Sequence, residues 1–415
     1  MTKSKAKDEL RSKFERFIEG DIPEYTFHRI ERNPHRVFNH LGLLNAKKSC
    51  FSNNDILPTS IFSYNLSSPC EIGLMEFHPT DYCDLACKEC FYREINKFHE
   101  GTKTYPFEKL YLLKKFNPRA MVLTGGGEPT VYSSDGKKFD DLINELIQLF
   151  PHLQIGLLTN GTFFPKGEWA KKIKWVRVSI DSNNKDTYRE IKGFDKFDKV
   201  WGSIEKYLES SIPKVGLGYL FDNKNLLEIP NFIKDSYDQI NKLKSDKLTK
   251  VNIQFRPIYP TPDKWNQGVR DMISINQIQE IKLKDEILSF AEDSKQKCEF
   301  LINQTNIEVL FHQRYKYPKF DFNYCGISLI YCLVRPQGDI YPCFVRVGDQ
   351  NLLLGNVFTD NDKNIALKQH AIYQAKQTDC RERGCRQSHI INLLQHSENH
   401  LKLQEVTCLG GNYFF

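Results

Sequence analysis

Three cysteines in the run Cys83-Asp-Leu-Ala-Cys87-Lys-Glu-Cys90 constrain this chain more than any other feature. Spacings of three and two residues suit an irregular loop whose thiols turn toward one ligand. A short apolar run, Ile72–Phe77, leads into that loop. Similar runs recur at Ala120–Leu123, Ile155–Leu158, Trp175–Ile180, Val215–Phe221 and Val251–Phe255. Helical patterns lie between them. Phe139, Leu142, Ile143, Leu146 and Phe150 follow the period of a single buried helix face. Pro106–Phe116 has Pro at a suitable first-turn position and Lys114 and Lys115 near its end. Six strand–helix steps predict a parallel sheet with right-handed crossovers and active residues at the C-terminal strand ends.

The rest of the sequence fits a globular chain. Its 415 residues are long enough for two or three domains, and 27% charged with 40% hydrophobic residues excludes a disordered chain. No run of apolar residues reaches the length of a membrane span, and the first residues, MTKSKAKDELRSK, lack the apolar stretch of a signal peptide. A cytoplasmic location is the expectation. The net charge of +6, from 58 basic and 52 acidic residues, is spread among alternating signs and gives no clear nucleic-acid surface. The twelve cysteines are then reduced thiols rather than a disulfide framework. Cys50, Cys70 and Cys298 stand alone and read as small buried hydrophobes.

Taken alone, the triplet allows two readings. Three thiolates can ligate three irons of a cubane and leave the fourth open, as a catalytic site requires. Alternatively they bind zinc with a fourth ligand such as His78 or His99. The strand ends that follow add Gly125-Gly-Gly-Glu128-Pro, Thr159-Asn-Gly161, and Ser179 with Asp181, two positions that share one sheet face. Glycines let a backbone approach a ligand closely, and Glu128 can accept hydrogen bonds from an ammonium group.

With these residues in this strand order, positions 71–258 resemble the radical S-adenosylmethionine superfamily. The resemblance implies a partial (β/α)6 TIM-like barrel that binds a [4Fe–4S] cluster and S-adenosylmethionine. One-electron reduction there yields methionine and a 5′-deoxyadenosyl radical. It implies Cys83, Cys87 and Cys90 as cluster ligands, and Gly126, Gly127 and Glu128 at the methionine amine. It further implies Ser179 and Asp181 at the ribose and Arg256 at the carboxylate. The family's aromatic residue before the third cysteine is replaced by Glu89, so either the aromatic contact at the adenine moves to Phe91 or the adenine is held by backbone alone. A flavodoxin- or ferredoxin-type protein is the implied reductant.

Around this domain, residues 1–70 read as an extension opening with a helix through Leu10, Phe14, Phe17 and Ile18. Residues 259–320 read as a bridging segment with a helix at Ile275–Phe290. In residues 321–415, Leu329–Val334 and Ile340–Val345 flank the turn Arg335–Asp339 and suggest a hairpin, followed by a helix at Asn364–Gln377. This region resembles a SPASM/twitch extension, a small C-terminal α+β iron–sulfur domain. The resemblance implies one auxiliary [4Fe–4S] cluster on Cys325, Cys343, Cys380 and Cys385, with Cys332 or Cys408 as substitutes; a zinc knot on the same thiols is the alternative. His389, His396 and His400 read as surface or satisfied histidines. The expected activity is hydrogen abstraction from a small polar metabolite of sugar, aminocyclitol or nucleotide type, the auxiliary cluster accepting an electron. The alternatives are a maturase acting on a ribosomally made peptide, and a non-enzymatic iron–sulfur or zinc scaffold. No individual residue presents itself as the catalytic acid or base.

Overall fold

The alternating runs build strands and helices in a computed structural model that describes residues 2–15, 72–97, 103–243, 245–258, 277–292, 294–307, 310, 327–329 and 331–374. The strands are β1 (Leu74–Phe77), β2 (Ala120–Leu123), a short hairpin of β3 (Ser133–Ser134) and β4 (Lys137–Lys138), β5 (Gln154–Thr159), β6 (Trp175–Ser179), β7 (Lys214–Phe221), β8 (Val251–Pro257), β9 (Tyr331–Val334), β10 (Asp339–Tyr341) and β11 (Gly355–Asn356). The helices are α1 (Lys3–Glu15), α2 (Phe91–Lys97), α3 (Phe139–Leu149), α4 (Lys185–Lys192), α5 (Phe197–Glu209), α6 (Ile229–Leu243), α7 (Gln277–Ala291), α8 (Lys295–Gln304) and α9 (Asp362–Gln374). Among the described residues no helix is long and apolar enough to cross a membrane.

These residues fall into two compact units. The first draws on Met1–Asp21, Cys83–Glu94 and Leu158–Lys316. Its strands β6, β7 and β8 are parallel, in register Arg177↔Gly216 and Gly216↔Asn252. Val176, Val178, Val215, Leu217, Val251 and Ile253 are fully buried on one strand face. Each such side chain contributes about 1.5–3 kcal/mol. The outer edge of β8 is closed by Asn306, whose amide donates to the Phe255 carbonyl at 2.9 Å and accepts from its N–H at 2.7 Å. Among the described residues, two helices, α7 and α8, fall in the bridging segment where the sequence suggests one. Ser294 caps the second, α8, and α1 packs against it through the buried Ala6 and Leu10 side of its length.

The second unit draws on Ile22–Tyr82, Ile95–Leu157 and Tyr317–Phe415. Its strand β2 lies parallel between β1 and β5. Phe139, Leu142, Ile143 and Leu146 form the buried stripe of α3, and Asp141 turns back to accept the Lys138 N–H at 2.9 Å. Phe107–Phe116 is a 3-10 helix, ended by Asn117 in the left-handed region. The C-terminal hairpin does not stand apart as a body of its own: β9 pairs parallel with β1, then antiparallel with β10, which pairs with β11. All four residues of β9 are buried, so both faces of this strand are covered, and its two edges are paired by β1 and β10.

A buried ion pair fastens this hairpin to the segment after β1. Arg335 is fully buried and donates to Asp81 at 2.9 Å and to the Asn96 side-chain oxygen at 2.7 Å. Gln337 donates to the same Asp81 oxygen at 2.7 Å. Removing one partner of a buried pair leaves an uncompensated charge. Arg335→Leu should therefore cost about 3–5 kcal/mol, read as a lower urea midpoint. A loss near 1 kcal/mol, the scale of an exposed pair, would show that the contact does not carry the hairpin.

Candidate functional site

In the second unit the Gly125–Glu128 loop leaves β2 and lies against His78–Tyr82. A Cβ on Gly126 would sit 2.3 Å from Asp81 Oδ1, and one on Gly127 only 2.2 Å from the Tyr82 carbonyl oxygen. The Glu128 N–H donates to that carbonyl at 2.7 Å, and Asn96 donates to the Gly126 carbonyl at 3.0 Å. The glycines thus admit the Asp81 side chain and the Tyr82 carbonyl, where the sequence suggests room for a ligand. Glu128 is buried, and its Oε1 accepts from Thr130 N–H at 3.1 Å and Thr130 hydroxyl at 2.6 Å, which caps the turn Pro129–Val131. Tyr82, the residue that receives this loop, immediately precedes Cys83.

In the first unit the triplet loop is fixed at two points. Asp84 accepts from Asn160 at 2.9 Å, from the Thr162 hydroxyl at 2.6 Å and from Lys196 at 2.7 Å, and Lys196 also reaches the Asp84 carbonyl. Burial pushes the Asp84 carboxyl up, but these donors, Lys196 foremost, outweigh it and hold the group below its ordinary value. Asn160 also donates to Cys83 Sγ at 3.8 Å. The second point is the C-terminus of α4. The N–H groups of Ala86 and Lys88, on either side of Cys87, donate to the carbonyls of Lys192 and Ile191 at 3.1 and 3.0 Å. Gly193 follows at φ +82, and a Cβ there would press within 2.7 Å of the Ala86 carbonyl oxygen. Asp84 and Lys192 carry no motif of their own; their nearness to the triplet in sequence and to Gly193 is the only signal that could have marked them.

Asp181 differs from its sequence reading. Strand alternation ends at Ser179, and Asp181 takes φ +57, so the two do not continue one strand face. Its Oδ2 is paired to Lys192 and its Oδ1 accepts the Leu220 N–H at 2.6 Å, with both side chains of the ion pair almost wholly buried. Burial works against the Lys192 charge, but Asp181 and Cys87 outweigh it and hold the ammonium above its ordinary value. Burial likewise raises the Cys87 thiol, and the Lys192 ammonium opposes that rise.

The same unit gathers polar groups on one strand face: Arg177 and Ser179 on β6, Gly216 and Gly218 on β7, Asn252, Gln254 and Arg256 on β8. Arg177 lies across the two glycines to bond Gln254. Phe91 opens α2 directly after Cys90, with its ring 5.3 Å from that of Tyr92. Of the proposed auxiliary ligands, Cys343 is half-buried at the start of a 3-10 turn, while Cys325, Cys380, Cys385 and Cys408 lie outside the described residues. Cys332 is fully buried in β9 opposite Met75, and burial holds its thiol well above the usual range. Cys298 is buried in α8 as a small hydrophobe. Cys50, Cys70, His99, His389, His396 and His400 lie outside the described residues.

Three loop thiols, one receiving an amide donor, are a donor set that fits an iron–sulfur cubane with an open iron. Among the described residues no three His, Cys, Asp or Glu side chains converge on a single ion. Cubane thiolates each take a different iron and need no such convergence.

Residues 77–235 match the family described as the Radical SAM superfamily. The chain is 29% identical over 198 residues to a GTP 3′,8-cyclase of Clostridium perfringens (strain SM101 / Type A), covering 45% of this chain and 57% of that one. It is 32% identical over 162 residues to a GTP 3′,8-cyclase of Desulforamulus reducens, covering 35% and 46%. The chain thus spans about half the length of these curated relatives. Among solved structures, Streptococcus suis SuiB bound to S-adenosylmethionine is 15% identical with a TM-score of 0.49, over 80% of this chain and 75% of that one.

The Asp84 contacts predict a pH effect. A carboxyl held below its unfolded value stabilises the loop above that value and loses this contribution as pH falls through the folded one. The protection of the Ala86 and Lys88 amides against hydrogen exchange, relative to the intrinsic rate at each pH, should stay high at neutral pH and fall below about pH 4. In Asp84→Asn the protection should be lower at neutral pH and should lose the acid step. An unaltered acid step would assign the titration to another group.

Proposed function

We propose that this chain, whose residues 77–235 are a radical SAM domain with a [4Fe–4S] cluster and S-adenosylmethionine as its cofactors, abstracts hydrogen from a small, polar, anionic metabolite of nucleotide type. The observation that carries the substrate class is the polar face of β6, β7 and β8. Beside Ser179 and Arg256, which are left to the cosubstrate, one guanidinium (Arg177) and two amides (Asn252 and Gln254) share that face, and the glycines of β7 leave Arg177 room to lie flat. Guanidinium forks match phosphate and carboxylate oxygens in pairs. The similarity to GTP 3′,8-cyclases, which are named for a nucleotide substrate, supports the same class.

In this reading Cys83, Cys87 and Cys90 hold the cluster, whose bound form supplies the one-electron cleavage of S-adenosylmethionine. The protein's own residues orient the partners. Asn160 donates to one ligand sulfur, and Asp84 keeps the loop from turning away. Glu128 offers carboxylate charge to the methionine amine while its Oε1 caps the turn that fixes it. Arg256 is assigned to the cosubstrate carboxylate, Ser179 to the ribose and Phe91 to the adenine, whereas Asp181 acts as a brace for Lys192. Cys325, Cys343, Cys380 and Cys385 are proposed to hold the auxiliary, electron-accepting cluster, and a flavodoxin- or ferredoxin-type protein to supply the first electron.

The test is 5′-deoxyadenosine release by anaerobically reconstituted protein with S-adenosylmethionine and reductant. Nucleoside triphosphates should raise it at least tenfold over the substrate-free rate, and Arg177→Met should raise KM for the nucleotide more than it lowers kcat. Stimulation by short peptides instead would favour the maturase. Iron should fall from about eight to about four per chain in the Cys83/Cys87/Cys90→Ala variant. No iron in either protein would remove the radical reading.

A further inference from the structure

Arg335 does more than fasten the β9–β10 hairpin. Apolar residues of similar volume commonly serve as well as a buried ion pair, so the charge needs a reason. What a guanidinium adds is direction. A single nitrogen, Nη2, donates to Asp81 Oδ2 at 2.9 Å and to Asn96 Oδ1 at 2.7 Å, tying the segment after β1 to α2. Both partners then meet Gly126. The Asn96 amide donates to the Gly126 carbonyl at 3.0 Å, and Asp81 Oδ1 lies 2.3 Å from where a Cβ on that glycine would sit. The residue after Asp81, Tyr82, accepts the Glu128 N–H on its carbonyl at 2.7 Å. The Gly125–Glu128 loop is therefore bracketed by groups that one buried guanidinium aligns. The turn carrying Arg335 is closed by other bonds. Its own N–H donates to the Asp339 carbonyl and the Gly338 N–H to its carbonyl, both at 2.9 Å, and Asn356 donates to the Gln337 carbonyl at 2.9 Å.

We infer that Arg335 is a positioning residue for the cosubstrate. Through Asn96 and Asp81 it sets the Gly126 carbonyl and the loop running to Glu128, so the β9–β10 hairpin governs how tightly S-adenosylmethionine binds. This rests on the proposed reading of Gly126–Glu128 as the site of the methionine amine. A carbonyl oxygen has two lone pairs, and the Asn96 bond uses one and leaves the other for an ammonium group. The bonds form one buried network, in which the loss of a member weakens its neighbours. The coupling is also reciprocal: a ligand held more tightly because of the hairpin must steady the hairpin in return.

The experiment measures S-adenosylmethionine binding by equilibrium dialysis. It uses anaerobically reconstituted full-length protein without reductant, as wild type, Arg335→Lys, Asn96→Ala and the double variant. Lys keeps the charge but not the planar fork. Iron content should match wild type throughout. Kd should rise about fivefold or more in each single variant. The rise in the double variant should fall short of the product of the two, because both act on one carbonyl. In wild type, S-adenosylmethionine should slow hydrogen exchange of the Arg335 and Gly338 amides, and in Asn96→Ala it should not. Full iron with a Kd within about twofold of wild type in both single variants would overturn the inference and leave Arg335 a structural residue. Should the variants not fold, the wild-type exchange decides alone, and hairpin amides indifferent to S-adenosylmethionine sink the coupling. A Glu128→Gln protein that binds as tightly as wild type would instead remove the amine reading on which the inference stands.

Discussion

An irregular loop that must present three thiols has no ladder of its own to satisfy its peptide groups. Everything around Cys83–Cys90 follows from that constraint. The last carbonyls of a helix are unpartnered by construction, and α4 lends two of them to Ala86 and Lys88. A side chain does the same work at the other end, where Asp84 gathers donors from Asn160, Thr162 and Lys196. The loop is thereby as fixed as a strand while remaining free of the sheet. Metal chemistry benefits because ligand sulfurs that are already placed lose little freedom on binding.

The strands were legible because their burial is periodic or continuous. Ala120–Leu123 falls where the sequence puts it, and β5 to β8 differ by one or two residues at their ends. Hidden features were those set by distant partners. Nothing local in Tyr331–Val334 says that this strand lies beside β1, since its apolar character fits any buried strand. The helix at Lys295–Gln304 was masked by a charged, weakly amphipathic sequence, and its Ser294 cap was the one available signal.

At the site, residue types were legible and their partners were not. The cysteine spacing and the glycine run announce themselves. What the glycines accommodate is the carbonyl of Tyr82 and the side chain of Asp81, which only the folded chain brings there. Asp181 shows the limit of strand alternation as a guide, because one left-handed residue turns its carboxylate to a lysine eleven positions on. Lys192 itself looks like a solvated helix residue in sequence, yet it is among the buried charged groups of the protein.

The clamp on the triplet joins residues far apart along the chain: Lys196 meets Asp84 across 112 positions. At about 5–20 residues per second, a ribosome takes roughly 6–22 s to make that span. During those seconds the three cysteines exist without the helix end or the partners of Asp84 that later hold their loop. The nascent thiols are thus exposed to oxidants and to stray metal ions before their site has been synthesised. In the proposed reading, a cluster can meet a preformed loop only after α4 and Lys196 have been made, a little before the midpoint of the 415 residues.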